Sequence, residues 1–354
     1  MTSNRLEDFD FELPPGLIAQ RPAEPRHAAR LLHVPLAGGA MRHTTVMALP
    51  DLLPRHCLLV VNDTRVVPAR LMAHKPTGGR VELLLCAPVG VGSGGPEHQP
   101  ALARSNKPLR PGMELAIDGA PGLSATVDSV GSGGMVVLRF AAHVDMAALL
   151  VAAGRVPLPP YIRGGVEEGP DRASYQCVYA VQAGAVAAPT AGLHLSTELL
   201  ARLDAAGVER CALTLHVGPG TFLPVREPDL RQHRVLAERF SLSAEAAGQL
   251  AAARRDGRPI VATGTTTTRV LETLAARYGD APWPAGDDSA DLTILPGHRF
   301  GAIAGLMTNF HLPRSSLLVL LSAFAGRERV LAAYNEAVRR GYRFYSYGDA
   351  TLWL

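Results

Sequence analysis

A chain of 354 residues with 47% apolar and 19% charged side chains is globular rather than disordered, and its length predicts two domains instead of one core. A net charge of +3 is too small to identify a polyanion partner, since such binding depends on a local patch. Cysteines at 57, 86, 177 and 211, with no Cys-x-x-Cys or Cys/His cluster, argue against a zinc site or a disulfide framework and predict a reduced, cytoplasmic protein.

The polar, acidic opening Thr2-Ser-Asn-Arg-Leu-Glu-Asp gives no secretory signal, and the longest apolar run, residues 317–325, is about half of what a membrane span needs. Residues 1–66 read as helical turns and strands. They end in Leu58-Leu-Val-Val, an apolar run followed at once by Asn62-Asp63-Thr64-Arg65. A buried strand that stops there delivers hydrogen-bonding groups at its end, although the same residues fit a turn with an aspartate cap. From 69 to 153 the texture changes to short β-rich runs at 80–85, 113–117, 124–130 and 135–140, separated by Thr77-Gly-Gly, Asp118-Gly and Gly131-Ser-Gly-Gly. Such spacing predicts a small barrel or sandwich. The glycine-rich segment 90–100 lacks the Lys-Ser/Thr of a phosphate cradle and reads as a loop. Val156-Pro-Leu-Pro-Pro-Tyr161-Ile-Arg163 is an extended linker, because its prolines preclude a helix or central strand. The expected fold class is therefore a layered α/β domain, residues 1–68 plus 154–354, with an inserted small all-β barrel domain at 69–153.

The richest stretch runs from 184 to 222. Gly184-Ala-Val-Ala-Ala-Pro-Thr190-Ala-Gly192-Leu-His194 is small and polar, Ser196-Thr-Glu announces a helix, and Gly207 can stop it. Glu209 to Val217 alternates as a strand that points Cys211, Leu213, Leu215 and Val217 one way and Thr214 and His216 the other. His216 thus falls at a strand's carboxyl end beside Gly218 and Gly220. The pattern recurs where Pro259-Ile-Val-Ala leads into Gly264-Thr265-Thr266-Thr-Thr-Arg269, a helix start suited to an anion or ribose hydroxyl, though threonine capping explains it too. It recurs again where Gly305-Leu-Met-Thr reaches Asn309-Phe-His311, and the chain closes on Tyr345-Ser-Tyr347-Gly-Asp349. If the strands are parallel, these polar tips meet at one sheet edge and define a cleft. His194, His216 and His311 fall within it, with Asp63 and Asp349 the acids placed to join.

The blocks Leu59-Val-Val-Asn-Asp-Thr-Arg-Val-Val-Pro-Ala-Arg, Pro157-Leu-Pro-Pro-Tyr-Ile, Tyr175-Gln-Cys-Val-Tyr, Gly184 to His194, Thr214-Leu-His-Val-Gly, Leu306-Met-Thr-Asn-Phe-His-Leu-Pro and Tyr345-Ser-Tyr-Gly-Asp-Ala resemble the S-adenosylmethionine:tRNA ribosyltransferase-isomerases of queuosine biosynthesis, in order along the whole chain. The resemblance implies an α/β domain with an inserted barrel. It also implies transfer and isomerisation of the ribosyl part of S-adenosylmethionine onto 7-aminomethyl-7-deazaguanine at the wobble position of tRNA, giving epoxyqueuosine-tRNA, adenine and methionine. No cofactor is implied, because S-adenosylmethionine is consumed, and neither is a metal. The expected partner is the tRNA anticodon stem-loop carrying the 7-deazaguanine precursor, with no membrane and a monomeric protein. His194, His216 and Asp63 are the candidates for catalytic base and acid, unranked. Asn62, Arg65, Thr190, Gly192, Gly218, Gly220, Thr265, Thr266, Arg269, Asn309, His311 and Asp349 are candidates for substrate contact, with Tyr161, Phe310 and Tyr347 for stacking on an extruded base. Leu195-Ser196, Thr267-Thr268 and the aromatic-poor segment 291–298 depart from the family pattern.

Overall fold

The computed structural model describes residues 4–86, 95, 97–218, 220, 225 and 227–354. The chain runs through strands β1 (Arg30–Val34) and β2 (Arg42–Thr45), a short helix α1 (Leu49–Leu52), β3 (Leu58–Asn62) and β4 (Thr64–Val66). Six strands follow: β5 (Arg70–His74), β6 (Arg80–Leu85), β7 (Gln99–Ser105), β8 (Glu114–Ile117), β9 (Ser124–Val130) and β10 (Met135–Arg139). It returns through α2 (Met146–Ala153) and α3 (Asp171–Ser174) to β11 (Gln182–Ala185), α4 (Thr197–Ala205), β12 (Glu209–Leu215), β13 (Glu238–Leu242), α5 (Ala244–Arg255) and β14 (Ile260–Thr263). The last elements are α6 (Thr265–Tyr278), β15 (Gly286–Ala290), β16 (Gly305–Asn309), α7 (Ser316–Ala325), α8 (Arg327–Arg339) and β17 (Ala350–Trp353).

Every residue of β3 is buried, as an unalternating apolar run requires of a strand covered on both faces. It lies inside a nine-stranded sheet of order β15-β13-β12-β3-β14-β16-β17-β1-β2. Strands β12, β3, β14 and β16 are mutually parallel, while β13, β15, β17 and β2 introduce antiparallel pairings at either side. Leu58 and Val60 join Cys211, Leu213, Val270, Leu271 and Leu318 in one core, and Leu59 and Val61 join Leu199, Leu200 and Leu203 in another on the opposite face. The strand's period of two thus sorts its side chains between two layers. Ser196 caps α4 by accepting from the Leu199 N–H at 3.1 Å, and Gly207 follows it at φ +74°, both in line with the sequence.

The second layer system is a closed antiparallel barrel of order β10-β7-β6-β5-β8-β9, filled by Leu71, Val81, Leu83, Leu115, Val127 and Leu138, with Leu149 and Leu150 of α2 packed against them. Two of its strands, β5 and β7, are not among the runs anticipated from sequence. The barrel sits between β4 and β11, which pair in parallel with each other, and it is clasped by Arg70, whose guanidinium donates to the Leu158 carbonyl at 2.6 Å and to the Gly165 carbonyl. The architecture is the layered α/β domain with an inserted all-β barrel that the sequence predicts. The glycine-rich segment near 90 lies largely outside the described residues. Among the described residues no helix is long and apolar enough to cross a membrane, and the four cysteines are free.

Candidate active site

Because β12, β3, β14 and β16 run the same way, the residues that follow each strand emerge at one edge of the sheet. His216 follows β12, Asp63 follows β3, Gly264 follows β14, and Phe310 and His311 follow β16. Gly264 adopts φ +92° and turns the chain directly into α6, a conformation that costs an L side chain dearly. The first N–H groups of α6 have no partner within the helix and carry its partial positive charge. Thr267 and Thr268 spend their hydroxyls on the carbonyls of Thr263 and Gly264, at 2.8 and 3.1 Å, whereas Thr265 and Thr266 line a cavity.

That cavity, together with the open solvent at its mouth, spans about 600 Å³ of atom-free space. Its walls are largely apolar or aromatic: Tyr161, Tyr175, Ala187, Val217, Phe310, Leu317 and Tyr345, with Thr190, Asn309, His311 and Ser346 supplying polar atoms. Tyr161 meets Tyr345 edge-on with ring centroids 3.7 Å apart, and its hydroxyl is 2.6 Å from Ser346 Oγ. Tyr345 itself holds φ +75°, a conformation rare for a bulky residue. His311 is buried, with Nε2 at 3.1 Å from Thr308 Oγ1, and burial drives its pKa down to about 3.

Asn309 connects this cavity to a histidine behind it. Its Nδ2 lies 3.1 Å from His194 Nε2 and donates to the carbonyls of Tyr345 and Ser346 at 3.1 and 3.3 Å. His194 is 5% exposed and does not line the cavity. Burial, reinforced by Arg343 and Arg26, lowers its pKa to about 4, so the ring is neutral near pH 7.

Asp63 and His216 face a second, wider cavity that spans about 1390 Å³ of atom-free space with the open solvent at its mouth included, lined also by Thr214, Arg239, Ser243 and Asp287. Asp63 Oδ1 accepts from Thr214 Oγ1 at 2.6 Å, and His216 Nδ1 is 2.8 Å from Thr64 Oγ1. Burial raises the pKa of Asp63 against the opposing pull of the Thr214 hydrogen bond. Burial lowers that of His216 while Asp63 holds it up. Gly184 makes room for the imidazole, since a Cβ there would stand 2.7 Å from its Cε1 and Nδ1.

The anticipated cleft is thus two cavities on one sheet edge. The enclosed one gathers Thr190, Thr265, Thr266, Asn309, His311, Tyr161 and Phe310, and the wider one gathers Asp63 and His216. Several anticipated contacts lie elsewhere, engaged in the fold through hydrogen bonds or close packing. Asn62 donates to the Leu215 carbonyl and accepts from the N–H groups of Leu215 and Thr64, at 2.9, 3.0 and 3.1 Å, pinning β3 to β12. Arg65 is exposed and donates to the Ala180 carbonyl. Arg269 is buried against Glu238 at 2.6 Å and the carbonyls of Ala290 and Leu236. Tyr347 donates to Asp171 at 3.0 Å, and Asp349 accepts from the N–H groups of Arg30 and Arg343. Gly192 serves packing, because a Cβ would stand 2.1 Å from Tyr179 Oη. Gly218 donates to Glu238 at 3.0 Å, and Gly220 abuts Leu236, while Thr221 and Phe222 fall outside the described residues. Sequence reasoning passed over Tyr175, Tyr345 and Ser346. The alternation Tyr345-Ser346-Tyr347 carried the signal, but nothing in it said which tyrosine faces inward.

Fold and site together define a protein of the open α/β class, with its cavities at the carboxyl ends of parallel strands, where ligands bind in such sheets. A family model described as queuosine biosynthesis protein matches residues 6–353, and the chain belongs to that family. It is similar to the S-adenosylmethionine:tRNA ribosyltransferase-isomerase of Anaeromyxobacter dehalogenans, 53% identical over 99% of each chain, and to that of Acidiphilium cryptum, 49% identical over 98% of each. A crystal structure of S-adenosylmethionine tRNA ribosyltransferase from Thermotoga maritima is 34% identical, with TM-score 0.54, covering 98% of this chain and 100% of that one.

Proposed function

We propose that this protein is an S-adenosylmethionine:tRNA ribosyltransferase-isomerase. It moves the ribosyl part of S-adenosylmethionine onto 7-aminomethyl-7-deazaguanine at the tRNA wobble position, producing epoxyqueuosine-tRNA and releasing adenine and methionine. The observation that carries the reading is identity of about half, 53%, along 99% of both this chain and a relative of that name. In this reading S-adenosylmethionine lies in the enclosed cavity. Its purine is held among Tyr161, Tyr175 and Tyr345, and its carboxylate lies at the amino end of α6, where Thr265 and Thr266 present hydroxyls and the helix favours an anion.

The sulfonium acidifies the neighbouring ribose carbon, so a base removes a proton there. Adenine needs a proton to leave, and the RNA amine must be unprotonated to attack. We assign these proton transfers to Asp63 and His216, the half-buried titratable pair of the wider cavity, for which the sulfonium and ribose of S-adenosylmethionine reach past the Val217 wall of the first cavity to its neighbour His216. A carboxylate also suits the cationic aminomethyl group before it gives up its proton. S-adenosylmethionine is a consumed co-substrate, and the reaction as written needs no resident cofactor. The free thiols suit the reducing cytoplasm, where tRNA resides. The test is incubation with S-adenosylmethionine and tRNA bearing the 7-aminomethyl base. Stoichiometric adenine release is expected, and none at saturating substrates would overturn the reading.

A further inference from the structure

We infer that His194 is a positioning residue that acts through Asn309, locking its amide so that Oδ1 accepts from the exocyclic amine of a purine in the enclosed cavity. The inference rests on the proposed placement of S-adenosylmethionine in that cavity. The amide orientation follows from its neighbours. The Tyr345 and Ser346 carbonyls can only accept, so the end facing them at 3.1 and 3.3 Å has to be the –NH2. Of its two N–H groups one is shared between the two carbonyls and the other points to His194 Nε2, 3.1 Å away; that ring nitrogen is then an acceptor, and the ring carries its proton on Nδ1. A lone pair engaged in this way, on a ring 5% exposed behind Asn309, is not offered to a substrate proton.

The opposite end of the amide is unsatisfied. Asn309 is 2% exposed and lines the cavity, yet its Oδ1 meets no donor among the described residues. A buried acceptor without a donor is costly, so the site is complementary to a ligand that brings an N–H. The cavity that Asn309 lines is walled by Ala187, Val217, Phe310, Tyr175 and Tyr345, which suit a flat ring, so the donor that matches both features is the 6-amino group of a purine. A 6-oxo group would instead oppose one carbonyl oxygen to another.

The experiment measures the affinity of the full-length protein for S-adenosylmethionine and for its 6-oxo counterpart, together with steady-state adenine release across pH. The wild type should prefer the 6-amino ligand by about tenfold or more, and Asn309→Ala should reduce that preference to within about threefold. His194→Leu should raise the KM for S-adenosylmethionine about tenfold and erode the preference, with kcat at saturation within about threefold and its acid limb unmoved. His194→Gln should restore affinity, since its Oε1 can accept from Asn309 Nδ2, and it keeps the inference testable should His194→Leu fail to fold. A kcat collapse with loss of the acid limb in His194→Leu or His194→Gln would overturn the inference by making His194 a group that handles the reacting proton. Unchanged ligand preference in Asn309→Ala, with affinity lowered, would overturn the amine contact. Unchanged affinity in Asn309→Ala would instead sink the placement of S-adenosylmethionine in this cavity, and absence of adenine release by the wild type would sink the proposed reaction.

Discussion

Asp63 and His216 are drawn toward a common titration range, the carboxyl lifted above its usual 3.8 and the imidazole lowered below its usual 6.5. A base works unprotonated, so kcat should fall as pH drops, with a midpoint above the ordinary carboxylate range where Asp63 is the base and below the ordinary imidazole range where His216 is. Asp63→Asn should cost about 10²- to 10⁴-fold in kcat, read from adenine release, with little change in the KM for S-adenosylmethionine. His194 and His311, held down to about 4 and about 3, bear on stability. The unfolded chain binds their protons near pH 6.5, so stability is fully present above that pH and is lost as pH falls toward 4 and 3. His194 alone accounts for on the order of 3 kcal/mol, and urea unfolding at pH 7 and pH 4.5 should show a shallower loss in His194→Gln. At this scale the sequence was only partly legible. His216 and Asn309 could be placed because each ends a strand, whereas Arg269 and Asp349 carry the same chemistry as ligand-binding residues and are consumed by buried partners, Glu238 for one and the backbone N–H groups of Arg30 and Arg343 for the other. Nothing local distinguishes a charge aimed at a substrate from one aimed at the fold.

Elements were read best where one periodicity governed them. Strand β12 sorted Leu213 and Leu215 from Thr214 and His216, and α4 declared itself through Ser196. Strands β5 and β7 escaped notice because Pro68 precedes one and Pro100 lies within the other, and proline ordinarily argues against a strand. The turn joining β11 to α4 shows how tightly an element can be fitted to its neighbours. At Gly192 a methyl would stand 2.1 Å from Tyr179 Oη and 2.8 Å from Cys177 Sγ, so Gly192→Ala should destabilise the protein by about 3 kcal/mol in thermal or chemical unfolding. Gly184→Ala meets a movable ring instead, that of His216 at 2.7 Å. Its expected signature is a lowered kcat with Tm little changed, as the His216–Thr64 contact is displaced.

At the scale of the molecule, the barrel has a core of its own, distinct from the two that sandwich the sheet. Leu138→Ala should therefore cost about 2–5 kcal/mol in the barrel yet leave affinity for S-adenosylmethionine within about threefold, checked by calorimetry of unfolding and of binding. The pairing pattern also orders events in time. Leu58 lies opposite Glu209 and Ile260, partners that the ribosome delivers long after β3 has emerged, whereas β5 pairs with β6, β6 with β7 and β9 with β10. Near neighbours find one another quickly and distant ones slowly. The inserted barrel should thus zip up while the sheet around it is still open, and its Arg70–Arg155 bridge would draw the two separated arms together, shortening the search that β3 and β12 must make. Pulse-labelling hydrogen exchange during refolding should accordingly find amides of β5 and β6 protected before those of β3, making the insert a nucleus for the domain it interrupts.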